Sequence, residues 1–124
     1  MGKVAAAVFV VVALVSGAIA LSARGSGPRE IRMVVRDMTF YLDGQTVPNP
    51  TLHFHAGETV RLVLRNEDQG MTHDFAIPDW KAATRRTEGG EEAFVTFRVP
   101  DQPSSQTYKC RPHSKIMQGT ILVE

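Results

Sequence analysis

A second cysteine is missing from this sequence: Cys110 stands alone among 124 residues, so no internal disulfide is available. The fold must therefore rest on its apolar core and on any metal it holds. Charge of one sign is also missing, because 14 Lys and Arg are balanced by 13 Asp and Glu. With no basic stripe interleaved with aromatics, the electrostatic footprint of a nucleic-acid-binding protein is absent. There are no internal repeats, and no helix-period pattern of any length occurs after residue 23.

One long hydrophobic run is present. After Met1-Gly2-Lys3, residues 4–23 carry no charge and are almost entirely Ala, Val, Leu and Ile. Such a run reads either as a signal peptide or as an uncleaved membrane anchor. Cleavable apolar regions are typically about 7–15 residues, whereas about 20 apolar residues span a bilayer. Ala18 and Ala20 nevertheless form an A-x-A cleavage pattern. Either reading predicts an N-terminal hydrophobic helix over 1–23 and places the rest of the chain in the periplasm or another extracytoplasmic space. Residues 24–29 have linker composition, leaving 30–124 as one domain of ordinary size.

Within 30–124 the periodicity is that of strands. Ile31, Met33 and Val35 alternate with Arg32, Val34 and Arg36, and Val60, Leu62 and Leu64 alternate with Arg61, Val63 and Arg65. A period of two marks half-buried strands. Further strands are expected over 38–42, 51–55, 93–99, 106–110 and 120–124, with turn signals at Asp43-Gly44 and Ala56-Gly57. Residues 78–90 read as irregular, with a short helical turn around Trp80-Lys81-Ala82-Ala83. Seven or so short strands without a long helix indicate an all-β sandwich.

The chemistry concentrates near the C-terminus. Cys110, His113 and Met117 succeed one another at spacings of three and four, in Cys-Arg-Pro-His-Ser-Lys-Ile-Met. Thiolate, imidazole and thioether are soft or borderline donors that suit copper, and two His, one Cys and a long axial Met form an electron-transfer ligand set. A second histidine is then required upstream. His73, in Met71-Thr72-His73-Asp74-Phe75-Ala76-Ile77-Pro78, answers the description. His53 and His55 share one strand face, but no third donor accompanies them in sequence; they read as exposed strand histidines.

His73-Asp74-Phe75 ahead of Ile77-Pro78, together with Cys-x-x-His-x-x-x-Met-x-Gly, resembles the cupredoxin family of plastocyanin-like small blue-copper proteins. The resemblance extends over roughly residues 30 to 124. It implies a Greek-key β-sandwich holding one copper that cycles between Cu(I) and Cu(II), with His73, Cys110, His113 and Met117 as ligands. In that arrangement Cys110 ends a strand, His113 and Met117 occupy the loop after it, and His73 comes from an adjacent strand. Asp74 is expected to bond to backbone near Cys110 or Arg111. Arg111, Lys115 and Arg85-Arg86 are candidate guides for an acidic partner, and Met71, Pro112 and Ile116 a candidate apolar docking patch.

The function so implied is a non-enzymatic monomer passing single electrons between redox partners such as cytochromes or membrane oxidoreductases. If residues 4–23 remain uncleaved, the membrane is a further partner. The alternative is a periplasmic protein that binds and delivers copper for homeostasis or oxidase assembly. An enzyme is the weakest reading, since one ligand set leaves no room for a second copper cluster.

Overall fold

The computed structural model describes Gly2 and residues 27–124. The N-terminal helix expected over 1–23 lies outside the described residues. Among those described, nine strands run in chain order: β1 (Arg29–Arg36), β2 (Thr39–Leu42), β3 (Leu52–Phe54), β4 (Thr59–Asn66), β5 (Ala76–Ile77), β6 (Ala82–Ala83), β7 (Glu92–Arg98), β8 (Ser104–Lys109) and β9 (Gln118–Val123). They form two sheets, one ordered β2-β1-β4-β7 and the other β3-β9-β8-β5-β6.

Alternation explains the first sheet. Met33 and Val35 on β1 and Val60, Leu62 and Leu64 on β4 are all buried, and their partners on the other face carry the charges. On that outward face Arg61, Glu30, Arg32 and Glu92 form a chain of ion pairs across β4, β1 and β7, and the Arg61 guanidinium lies 4.2 Å from the centre of the exposed Phe94 ring. Val34 and Val63 are buried as well, so the outward face is not wholly polar.

The two sheets close over a shared core. Val35, Phe40, Leu62 and Leu64 from the first meet Phe54, Ile77, Tyr108 and Ile121 from the second. Tyr108 is the largest fully buried side chain. Its ring stacks on Phe75 at 5.2 Å and meets Phe40 edge-on at 5.4 Å, and its hydroxyl donates to the Pro50 carbonyl at 2.7 Å. Aromatic packing of this kind adds to plain area burial.

Four expectations need correction. Nine strands replace seven, because β5 and β6 contain two residues each, too few to display a period. The helical turn lies earlier than expected, as a 3-10 turn at Pro78–Trp80, and Ala82-Ala83 pairs with β5 as a strand. β8 starts at Ser104, two residues before the expected 106, and ends at Lys109, so Cys110 sits one residue past it. Arg29 belongs to β1, not to the linker.

Candidate metal centre

Three donors converge at one end of the sandwich. Cys110 Sγ lies 3.6 Å from His73 Nδ1 and 3.6 Å from His113 Nδ1. One ligand atom from each residue fits within 4.8 Å of the others, and the two imidazole rings are 5.0 Å apart at a 58° tilt. An ion about 2.0–2.1 Å from nitrogen and about 2.3 Å from sulfur separates these donors by roughly 3.5–3.8 Å at angles near 110–120°. The spacing therefore fits a single metal ion with two nitrogen ligands and one sulfur ligand. Among the described residues this is the one such cluster.

The loop carrying two of these donors is held by its own backbone. Arg111–His113 form a 3-10 turn with Pro112 in its first positions, where the fixed φ and absent N–H of proline cost nothing. His113 N–H donates to the Cys110 carbonyl, Met117 N–H to the His113 carbonyl, and Cys110 N–H to the Met117 carbonyl at 3.0 Å. That last bond joins the two ends of the loop. Met117 is fully buried in the same apolar cluster as Cys110.

His73 does not come from a strand. It lies between β4 and β5 and makes an isolated antiparallel bridge with Thr87, with backbone bonds of 3.0 and 2.8 Å. The Thr87 hydroxyl donates to the His73 carbonyl at 2.9 Å, and the buried Asn66 amide donates to the carbonyls of Met71 and Thr87. Side-chain amides and hydroxyls here replace the regular ladder that a strand would supply.

Asp74 does what the sequence indicates. Fully buried, it accepts the Arg111 N–H at 2.8 Å and the Arg111 Nε–H at 2.7 Å. Arg111 thereby braces the cysteine loop, while its side chain stays about half exposed. Arg85 is likewise occupied, by Glu91 at 3.0 Å. Replacing Asp74 by alanine strands the Arg111 donors and should cost about 1–3 kcal/mol, read as a lowered Tm. Asp74→Asn, which keeps an acceptor for the backbone N–H, should lose less.

His53 and His55 are exposed, and His53 Nδ1 approaches Glu124 at 3.4 Å. They belong to no donor cluster among the described residues. His113 is half-buried and borders a shallow depression with Pro112, Ser114, Lys115 and Ile116; Ile116 is 61% exposed.

One residue at the site escapes sequence reasoning. Asp68, in the polar loop after β4, places Oδ2 2.9 Å from His73 Nε2. Its carboxylate also accepts the N–H groups of Asp37 at 2.6 Å and Met38 at 2.9 Å. Burial pushes this carboxyl up, but the Met38 and Asp37 amides and the His73 ring outweigh it and hold it below the usual carboxylate range. The one signal in sequence is an acidic residue five positions before a candidate ligand, which is weak by itself.

Burial also raises the Cys110 thiol, an effect that the Asp74 and His113 amides and Arg86 only partly offset. The metal-free site thus holds a thiol at neutral pH, and a thiolate ligand must lose that proton on binding. Copper(II) uptake at pH 7 should release about one proton per ion, and affinity should rise with pH up to the thiol's raised pKa. Calorimetry in buffers of different ionisation enthalpy measures both.

No curated protein sequence matches the chain. Among solved structures, the fold is similar to auracyanin A, a blue copper protein from the green thermophilic photosynthetic bacterium Chloroflexus aurantiacus. The TM-score is 0.61 at 20% identity, over 79% of this chain and 100% of that one. Auracyanin B matches with a TM-score of 0.62 at 21% identity, over 77% and 88% of the respective chains. A multicopper oxidase variant from the hyperthermophile Aquifex aeolicus matches at 0.61 and 14% identity, but only 26% of that chain is covered. At these identities the likeness is one of fold. The sequence itself decides the family: residues 48–124, which include His73, Cys110, His113 and Met117, match the family model for copper binding proteins of the plastocyanin/azurin family. The chain belongs to that family.

Proposed function

We propose that this protein is a type 1 copper protein that carries single electrons between redox partners outside the cytoplasm. The observation that carries the proposal is the convergence of Cys110 Sγ with the Nδ1 atoms of His73 and His113, both at 3.6 Å. Copper, when bound there, supplies a one-electron couple between Cu(I) and Cu(II). His73, Cys110 and His113 would hold it, with Met117 as the fourth, thioether donor.

The chain's own contribution is rigidity. An electron carrier works best when its ligands move little between oxidation states. The Cys110–Met117 backbone bond, the Asp74–Arg111 brace and the Thr87 and Asn66 bonds around His73 all hinder such movement. Burial of Cys110 and His73 keeps water from the ligands, while the half-buried His113 gives electrons a route to the surface beside Ile116 and Lys115. The partner would be a redox protein docking on that face. Membership of the plastocyanin/azurin family favours a carrier over an enzyme. Its location is inferred from the apolar run at residues 4–23, whether cleaved or retained as an anchor.

The test is the visible and EPR spectrum of the protein after addition of Cu(II), alongside Met117→Leu. Intense thiolate-to-copper absorption is expected in both. Met117→Leu should have the higher reduction potential, because an apolar side chain replacing a donor favours the less charged Cu(I). A colourless copper adduct would contradict the proposal.

A further inference from the structure

We propose that Asp68 is a positioning residue for the copper couple. Through His73 it fixes which ring nitrogen faces the metal, and its negative charge biases the site toward Cu(II). This deepens the carrier reading and rests on it.

The geometry leaves His73 one arrangement. Its two ring nitrogens have different partners: Nδ1 faces Cys110 Sγ at 3.6 Å, and Nε2 faces Asp68 Oδ2 at 2.9 Å. An ionised carboxylate only accepts hydrogen bonds. The ring proton therefore sits on Nε2, and the lone pair on Nδ1 is directed to the donor cluster. His73 is fully buried, so water does not compete for either nitrogen.

Asp68 is itself built in. Its side chain is only 11% exposed, and its own N–H donates to Asn66 Oδ1 at 2.8 Å. The two further donors come from the β1–β2 turn of the same sheet. Asp37 and Met38 both have left-handed backbone there, with φ of +51° and +58°. Two such residues make the two-residue turn that suits a hairpin twist, but the conformation is costly for methionine. The Asp68 carboxylate collects both freed N–H groups, so one side chain joins the turn, the β4 exit and His73.

The charge has a consequence that a neutral acceptor would not have. A carbonyl oxygen facing Nε2 would select the same tautomer. A carboxylate in addition makes the imidazole a stronger donor and stabilises the more positive metal state. Partners of this kind raise ligand basicity, and their loss typically weakens metal binding by about 10–100-fold. The loss should be larger for Cu(II) than for Cu(I), since the extra positive charge feels the carboxylate more.

Two measurements on the full chain test this. The first is 15N NMR of His73 in the metal-free wild type at neutral pH, which reports the tautomer without any substitution. Proton on Nε2 is expected; proton on Nδ1 overturns the positioning role. The second is the reduction potential and the Cu(II) and Cu(I) affinities of copper-loaded wild type and Asp68→Asn. The potential should rise by about 59 mV for each tenfold excess of Cu(II) loss over Cu(I) loss. A merely structural Asp68 would lower Tm and leave the potential in place, and that result overturns the charge role. If Asp68→Asn does not fold, the wild-type tautomer decides. If wild type takes up no coloured copper, the carrier reading fails, and the tautomer still judges Asp68 separately.

Discussion

Replacing Cys110 with serine is expected to abolish the intense visible absorption of the copper-loaded protein while leaving the metal-free fold intact. Cys110 is the only cysteine in the chain and is fully buried, with Sγ equidistant from two imidazole nitrogens. Thiolate-to-copper charge transfer needs sulfur, and no other thiolate is available. Serine is nearly the same shape and slightly smaller, so packing at the end of β8 survives. Its hydroxyl does not ionise near neutral pH and is a hard donor, poorly matched to copper in either state. Copper affinity should fall by more than the roughly 10–100-fold typical of losing an outer partner. Visible spectra and copper titrations of the two proteins decide it. Colour that survives the substitution would place the chromophore elsewhere.

The second large effect is structural and comes from a residue that binds nothing. Gly119 is the register partner of Tyr108 across β8 and β9. Directly opposed residues share a sheet face with Cβ atoms about 4.5–5.5 Å apart. Here the space over glycine is filled by the tyrosine ring: a Cβ on Gly119 would lie 2.6 Å from Tyr108 Cε1 and closer still to Cζ and Oη. The ring cannot yield easily, being stacked on Phe75, packed on Phe40 and bonded to the Pro50 carbonyl. Gly119→Ala should therefore destabilise the metal-free protein by about 3 kcal/mol, the upper part of the usual overpacking range. For a domain of this size that lowers Tm by roughly 12 °C or more. Since Tyr108 lies two residues before Cys110 and Phe75 two after His73, copper uptake should weaken too. Thermal melts with and without copper measure both, and an unchanged Tm would mean that the ring moves freely.

These residues show why parts of the site are legible in sequence and others are not. Cys110, His113 and Met117 lie in one short loop, so their spacing survives as a linear motif. Asp74 is next to His73 and reaches Arg111, next to Cys110, so two local motifs predict one contact. The alternation of β1 and β4 is legible for the same local reason. Asp68 is different. Its meaning depends on the β1–β2 turn, some thirty residues away, delivering two N–H groups to the same carboxylate. Nothing in a polar loop announces that.

Tertiary pairing hides other features. β1 runs parallel to β4, and β3 to β9, pairings that alternation does not specify because either direction buries the same face. β5 and β6 owe their existence to neighbours, Ala76 pairing with Ala83 on one side and Lys109 on the other. The histidine between β4 and β5 looks like a strand residue in sequence, yet it is fixed by Thr87 and Asn66 side chains. Arg111 looks like free surface charge until the buried carboxylate of Asp74 is seen beneath it.

Retention separates a one-electron couple, as in the proposed carrier, from copper held as cargo. The most direct measurement is repeated reduction by ascorbate and reoxidation by ferricyanide, in the presence of a Cu(I) chelator, monitored in the visible band. A carrier should bleach and recover fully at one electron per Cys110 through many cycles, with the chelator remaining copper-free. Colour that bleaches once and does not return, with Cu(I) appearing on the chelator, would contradict the carrier reading and identify a copper-delivery protein instead.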